Sequence, residues 1–176
     1  MRVAFFGAEP KAGTSANMQL AAWGTFFYPF IRDKTGVQKV QFSEVRQKDI
    51  TGLKQVFPWD LLAVNLSLAG SRWEEFFLIK SFVQTNIIFV IGKYYHSQKR
   101  ELERFSRWYR IPRERICPIP YNQRFQTAYV SGRVPSYLMW QKREFSYENR
   151  EFVQSLNGML MAIGKYGRRK GEIYYG

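Results

Sequence analysis

The stretch that decides the fold is MRVAFFGAEPKAGTSANMQLAA, residues 1–22. It opens with a short apolar run rich in β-formers, residues 2–6, which predicts a strand ending at Gly7. A glycine-containing loop then leads to Thr14 and Ser15, which can cap a helix. A strand, a loop and a helix start in this order can bind phosphate on backbone N–H groups at the positive end of the helix. The alternative is the same strand, turn and helix without a ligand.

The loop departs from the standard phosphate-binding motif, G-x-x-x-x-G-K-[ST]. Gly7 and Gly13 frame it, but Thr14 follows Gly13 directly and no lysine precedes the threonine. Lys11 lies earlier in the loop, and residues 14–21 read TSANMQLA. The stretch resembles the deviant loop of the MinD/ParA ATPases, K-G-G-x-G-K-T followed by T-x-x-x-N-L-A, with the phosphate-binding lysine missing.

Composition indicates a single folded domain. The chain has 176 residues, of which 45% are hydrophobic and 18% aromatic, enough for a substantial core. Its one cysteine excludes a disulfide framework, and Cys117 with His96 cannot form a zinc site. No signal peptide opens the chain and no apolar run is long enough for a membrane span, so we expect a cytoplasmic protein.

The net charge of +13 and the pI near 10.0 favour polyanionic or acidic partners. These could be nucleic acid, an anionic membrane surface, nucleotide phosphates or an acidic protein. Solubility alone is the alternative explanation.

Apolar runs and amphipathic periods alternate along the chain. Buried strands are predicted over 60–66 and 86–91, with further strands over 37–42 and 116–119. Helices are predicted over 14–32, 72–84, 97–110, 122–131 and 147–163, with a weaker helix or loop over 47–56, and residues 135–145 remain unassigned. The alternation predicts an α/β fold, a doubly wound and mainly parallel sheet flanked by helices, with ligands beyond the carboxyl ends of the strands. We expect one domain over residues 1–164 and a basic tail over 165–176.

Two further segments resemble the MinD/ParA family. Residues 59–67, WDLLAVNLS, resemble its strand D-Y-I-I-I-D-x-P, whose second Asp serves the magnesium ion and the attacking water. Asp60 matches the first Asp, to which we give a structural role, and Asn65 replaces the second. Residues 116–122, ICPIPYN, resemble the family's strand ending in I-P, which borders the nucleotide base. The three resemblances occur in order over residues 1–133 and imply a degenerate P-loop domain.

The resemblance implies little catalysis. Phosphoryl transfer depends on positioning and charge neutralisation, so losing the lysine and the metal-side Asp predicts no meaningful ATP hydrolysis. We assign no catalytic residue and no metal ligand. ATP or ADP could still bind, and the predicted nucleotide-binding residues are Gly7, Lys11, Gly13, Thr14, Ser15, Asn65 and Pro120. Lys11 is either a signature lysine reaching a dimer partner's phosphate or a solvated loop lysine, and Thr14 and Ser15 are phosphate ligands or helix caps.

Several surface residues have two interpretations. Arg100, Arg104 and Arg107 share one helix face, which is a docking face for an acidic partner or DNA, or a solvated face. Leu102, Phe105 and Trp108 are expected to face inward. Glu44 is a surface carboxylate or an acidic switch residue, and Cys117 is expected to be buried and inert.

The tail after residue 159 resembles in character the basic amphipathic end by which some MinD-like proteins touch membranes. The alternative places Met159, Leu160 and Ile163 in the core. Peripheral membrane contact through the tail is therefore one expectation.

The resemblance implies an adaptor or localisation factor, acting through protein contacts or as a homodimer. MinD/ParA-like relatives position machinery in bacterial cells, including pili and partition complexes. One alternative is a nucleic-acid-binding protein that uses the same fold and its charge. Another is an active ATPase whose lysine comes from elsewhere, such as Lys11 in trans.

Overall fold

The computed structural model describes residues 1–9, 12–28, 40–46, 59–68, 86–141 and 146–167. Numbered in chain order within these ranges, the strands are β1 (Arg2–Gly7), β2 (Gln41–Val45), β3 (Leu61–Leu66), β4 (Asn86–Tyr94) and β5 (Ile116–Pro120). The helices are α1 (Thr14–Phe27), α2 (Lys99–Trp108), α3 (Gln123–Val130), α4 (Val134–Gln141) and α5 (Tyr147–Tyr166). Short 3-10 turns cover His96–Gln98 and Arg113–Arg115.

The five strands form one parallel sheet in the order β2-β1-β3-β4-β5. The predicted α/β class with a parallel sheet is confirmed. The chain moves to one side from β1 to β2 and to the other side from β3 to β5, so the direction reverses between β1 and β3. In parallel sheets a crevice opens at this switch point, beyond the carboxyl ends of the strands.

Helices cover both faces of the sheet. On one face, α1, α3, α4 and α5 pack against alternate strand residues such as Phe5 and Ile88. On the other face, Leu102 and Phe105 of α2 pack against the remaining strand residues, including Phe89. Because α1 and α2 lie on opposite faces and connect strands in opposite directions, the two crossovers share one hand, as βαβ units normally do.

Burial on two faces explains the apolar strands. All six residues of β3 are buried, which suits a central strand of a parallel sheet. At the described edge of the sheet, β5 carries Pro118 and Pro120, and edge strands tolerate proline because one side of the strand needs no N–H donor.

The predicted helices have somewhat different ends. Helix α1 ends at Phe27, before Pro29, rather than extending to residue 32. Its Gly24 lies against α5, where an added Cβ would stand 3.0 Å from Leu156 Cδ1. Helix α5 continues to Tyr166, two residues beyond the expected end of the domain at residue 164. Residues 29–39, 47–58, 69–85 and 168–176 lie outside the described residues, and with them the predicted helices over 47–56 and 72–84.

Three predictions need correction or extension. The second strand covers Gln41–Val45 rather than 37–42, and β4 extends three residues further than predicted, to Tyr94. Trp108 does not face inward, since its side chain is 72% exposed. At about 100° per residue it lies roughly 90° around the helix from the direction shared by Leu102 and Phe105.

Helix α5 uses its apolar stripe for the core. Met159, Leu160 and Ile163 are at most 2% exposed, so these side chains belong to the core rather than to a membrane-facing surface. Residues 134–141, left unassigned by sequence, form α4, and Gln141 Nε2 donates a buried hydrogen bond of 2.9 Å to Asn149 Oδ1 of α5. None of the helices in the described ranges has the length and hydropathy of a membrane span.

Candidate functional site

The crevice between β1 and β3 brings together most of the residues predicted to bind a nucleotide. Gly7 is paired in register with Asn65, and the N–H of Ala8 donates to the Asn65 carbonyl at 2.9 Å. A Cβ on Gly7 would lie 2.6 Å from Thr14 Oγ1, so the end of β1 and the start of α1 approach as closely as only glycine permits.

Helix α1 begins differently from the prediction. Its N-cap is Gly13, in the left-handed conformation with φ 77°, and no side chain caps the helix. The expectation that Thr14 or Ser15 serves as the cap is therefore wrong, because both residues lie inside the first turn. The first helical bond runs from the Asn17 N–H to the Gly13 carbonyl, so the N–H groups of residues 14–16 are not used within the helix.

Asn65 lies beneath the loop and is fully buried. Its Oδ1 accepts from Asn17 Nδ2 at 2.9 Å, and its Nδ2 faces the carbonyl oxygens of Ala63 at 3.2 Å and Phe6 at 3.4 Å. These bonds tie β3 to β1 and α1 and give Asn65 a structural role. Contact of Asn65 with a nucleotide or its metal stays a prediction, and it would require breaking these bonds.

Two carboxylates of the protein accept hydrogen bonds from donors around the crevice. Glu9 Oε1 accepts the N–H of Ser67 at 2.6 Å, which bridges the loops after β1 and β3. Glu44, at the end of β2, accepts from Ser15 Oγ at 2.6 Å and is an exposed surface carboxylate. A bound phosphate would stand close to both negative charges, and the Ser15 hydroxyl would have to leave Glu44 to reach it.

Pro120, predicted to border the nucleotide base, lines a cleft together with Gly13. Gly92 of β4 forms part of the cleft wall, and a Cβ there would stand 2.7 Å from the Ala12 carbonyl oxygen. The cleft volume is about 30 Å³. That space admits about one water molecule, whereas ligand sites measure about 300–1,000 Å³. The base side of the predicted site is therefore closed in this structure.

Sequence reasoning missed several residues of this edge. Asn17, a buried polar residue on an otherwise apolar helix face, and Gly92, an isolated glycine in a buried strand, were signals that could have found them. Glu9 carried no such signal. Lys11 lies outside the described residues. Asp60 accepts the Arg2 N–H at 2.7 Å at the start of the sheet, in agreement with a structural role.

The predicted partner-binding residues lie on the opposite face of the sheet from α1. Arg100, Arg104 and Arg107 are exposed along α2, with Trp108 at its end. Within the described ranges, no carboxylate comes within ion-pair distance of these three arginines. The structure therefore leaves three unneutralised cations on one helix face.

The other reactive groups are in structural positions. Cys117 is buried in β5, and burial raises the pKa of its thiol to about 12, so it is an inert thiol, as predicted. His96 Nε2 lies 2.6 Å from Glu151 Oε1 of α5. Among the described residues no three His, Cys, Asp or Glu side chains are grouped to hold a metal.

Comparisons with known protein families, with curated proteins and with solved structures give no match for this chain. What can be stated of its class comes from the strand order and the site: it is a single-domain α/β protein with a five-stranded parallel sheet flanked by helices.

Proposed function

We propose that this protein is a non-hydrolysing MinD/ParA-like protein that works as an adaptor or localisation factor through protein–protein contacts. The observation that carries the proposal is the state of Asn65. By the sequence resemblance Asn65 replaces the family's metal-side Asp, and its amide is buried and bonded on both sides inside the protein. The parallel sheet, the β1–loop–α1 unit and the order of the sequence resemblances support the family.

Charge explains why hydrolysis is not expected. Phosphoryl transfer needs cations around the β- and γ-phosphates, and the loop lacks the lysine between Gly13 and Thr14. Asn65 is neutral, while Glu9 and Glu44 place two carboxylates near the donors that a phosphate would use. Each difference raises the energy of the transition state relative to a true P-loop enzyme.

Weak binding of ATP or ADP is the most that the crevice supports. The N–H groups of residues 14–16 and the Thr14 and Ser15 hydroxyls could contact phosphates, with Lys11 from the loop. The base side, at Pro120, must open first, because the cleft there measures about 30 Å³. Binding would therefore include the free-energy cost of moving the loop.

In the proposed role the protein acts by binding a partner through its surface. The partner would be an acidic protein or a second copy of this chain, in the cytoplasm of a bacterial cell. By resemblance the process would be pilus assembly, partition or another positioning system. Membrane contact through residues 165–176 stays a prediction.

A second candidate function is nucleic-acid binding. The observation that favours it is the exposed face of α2, where three arginines that form no ion pair with any described residue lie beside an exposed Trp108, a combination suited to phosphate contact and base stacking. Its affinity would fall steeply with salt. An ATPase that uses Lys11 in trans is the third candidate.

Phosphate release from the pure protein with ATP and Mg²⁺ tests the proposal. We expect no release above that of the variant Thr14→Ala. Turnover that the natural protein shows and Thr14→Ala loses would refute it. Sedimentation with and without ATP is the companion measurement, for which we expect the same oligomeric state in both conditions.

Localisation is tested in cells. A fluorescent fusion should form discrete foci or accumulate at a fixed cellular site, and Thr14→Ala should leave that pattern intact. Uniform fluorescence would count against a localisation factor even if hydrolysis were absent.

A further inference from the structure

A groove lies between α2 and the edge strand β5, away from the crevice at β1 and β3. Its volume is about 400 Å³, within the range of about 300–1,000 Å³ that is usual for ligand sites. Leu102, Ile116 and Pro118 contribute apolar surface to it. The groove is thus large enough for one or two side chains of a partner and offers them apolar contact.

The rim of the groove is cationic. Arg107 and Arg113 line it from α2 and from the turn before β5, and both are exposed. Arg100 and Arg104 continue the charge along α2. Glu103 also lines the groove, and its backbone carbonyl accepts from Arg107 Nε at 3.4 Å, while no ion pair neutralises Arg107 or Arg113 within the described ranges. The rim can therefore accept carboxylates from outside.

A further exposed cation, Arg110, follows the end of α2 in a backbone conformation that costs free energy. Arg110 has φ 51°, in the left-handed region, where a non-glycine residue costs about 1–2 kcal/mol. It occupies the position after the cap of α2 where glycine is usual, with Arg110 N–H bonded to the Arg107 carbonyl and Ile111 N–H to the Ser106 carbonyl. Arg110 therefore adds an exposed cation at the end of α2, at a position where glycine would cost less.

The edge of β5 limits how a partner can bind. Pro118 and Pro120 have no N–H, so a partner strand could not form a continuous ladder along this edge. Recognition must then come from side chains: an apolar side chain in the groove and acidic side chains on the arginines.

We propose that this groove is the docking site for a protein segment that carries acidic residues around an apolar anchor. The inference rests on the proposed adaptor function and identifies its partner chemistry. Charge complementarity favours acidic side chains, and the apolar floor favours a leucine-like anchor between them. Arginine is also a residue type enriched in protein interfaces.

A nucleic acid fits this groove less well. Glu103 on the rim and Glu114 in the turn beside it interrupt the positive surface. A phosphate backbone needs a continuous basic track, whereas separate carboxylates can avoid both glutamates. The apolar floor also gives a phosphate backbone no favourable contact.

Fluorescence polarisation at about 150 mM salt tests the inference with labelled probes. The main probe is a peptide of alternating Glu and Leu. Three further probes separate the contributions: a Glu-Ser peptide of the same length, a Lys-Leu peptide and single-stranded oligo-dT. We expect binding of the Glu-Leu peptide, at least about tenfold weaker binding of Glu-Ser because the anchor is lost, and no binding of Lys-Leu.

Matched variants locate the site. Arg107→Glu and Arg113→Glu should each weaken Glu-Leu binding by about tenfold or more, because a cation on the rim is replaced by a negative charge that repels the glutamates of the peptide. Arg133→Glu, an exposed arginine between α3 and α4, changes the net charge equally and should alter binding by less than about twofold.

Several results would overturn the inference. These are no detectable Glu-Leu binding, equal binding of Glu-Ser, an equal loss in Arg133→Glu, or oligo-dT binding tighter than peptide binding. The last result would favour the nucleic-acid function instead. Phosphate release is measured in the same preparations, so that the two proposals can fail separately. ATP hydrolysis together with intact peptide binding would overturn the proposed function and leave the docking site.

Discussion

The two candidate regions of this protein differ in whether their polar and charged groups have partners within the described part of the protein. At the crevice between β1 and β3, the polar groups are bonded within the protein: Glu9 to a backbone N–H, Glu44 to Ser15, and Asn17 to Asn65. On α2, Arg100, Arg104 and Arg107 form no ion pair within the described ranges.

This difference indicates that the polar groups of the crevice contribute to stability, whereas the arginines of α2 are available for binding a partner. Internally bonded polar groups hold the loop and the sheet together, and a ligand there must compete with bonds that already exist. Exposed cations without an ion-pair partner contribute little to the free energy of folding and remain available to a partner. We therefore expect substitutions at the crevice to change the free energy of unfolding and substitutions on α2 to change binding.

The largest effect is expected from Asn65→Asp, which introduces the acidic residue that the proposed MinD/ParA function would have at this position. The carboxylate would be fully buried and would face the carbonyl oxygens of Ala63 and Phe6, to which it cannot donate. We expect a loss of about 3–5 kcal/mol in the free energy of unfolding near neutral pH, measured by urea denaturation. Burial would raise the pKa of this Asp above its unfolded value. The variant would therefore be closest to the natural protein below about pH 4 and would lose stability as the pH rises.

The control for that variant is Asn122→Asp. Asn122 caps α3, where its Oδ1 accepts the Phe125 N–H at 2.9 Å, and aspartate caps helices equally well. We expect its unfolding free energy to change by less than about 0.5 kcal/mol. An Asn65→Asp protein that is stable and gains Mg²⁺-dependent ATP turnover would contradict our interpretation of the crevice.

Gly92→Ala should have the next largest effect. Its Cβ would stand 2.7 Å from the backbone oxygen of Ala12, so the loop end must move. We expect a loss of about 1–3 kcal/mol by thermal or urea denaturation. Gly158→Ala on α5 is the matched change, because no atom lies within 4 Å of its added Cβ, and it should stabilise by about 0.5–1 kcal/mol. Equal effects of the two substitutions on stability would show that the loop before α1 does not pack closely against Gly92 of β4.

The smallest effect on the free energy of unfolding is expected from a substitution at the end of α2. Arg110→Gly removes a left-handed non-glycine residue and should raise the free energy of unfolding by about 1 kcal/mol. Gly132→Arg is the reverse change in the same kind of helix end after α3, with φ 69° and open space around the Cβ, and should cost about the same. An Arg110→Gly protein less stable than the natural one would show that Arg110 makes stabilising contacts of its own.

Local patterns predicted much of the fold. The apolar runs identified β3, β4 and β5, and the amphipathic period of α5 identified Phe152, Leu156, Met159, Leu160 and Ile163 as core residues. The helix predicted over 122–131 corresponds to α3 (Gln123–Val130), which Asn122 caps and which is followed by Gly132 in the left-handed conformation. The inward orientation predicted for Trp108 was wrong, because this residue lies roughly 90° around the helix from the direction shared by Leu102 and Phe105.

The candidate site was harder to predict. The sequence predicted that Gly7, Gly13, Thr14 and Pro120 surround one crevice. The structure places Gly7 against Thr14, and Gly13 and Pro120 along one cleft. The sequence did not predict that Gly13 rather than Thr14 caps α1, because the choice depends on how closely β1 approaches the helix. Nor did it predict the Glu9–Ser67 bond, which joins residues 58 positions apart.

The sequence by itself determined the alternation of strands and helices, the positive charge, the absence of a lysine between Gly13 and Thr14, and the neutral residue at Asn65. These follow from composition and from patterns within a few residues. Only the tertiary structure decided that Asn65 is bonded under the loop, that the cleft at Pro120 is closed, and that the arginines of α2 border an apolar groove. Each of these depends on segments distant in the chain, whose contacts exist only after the sheet has formed.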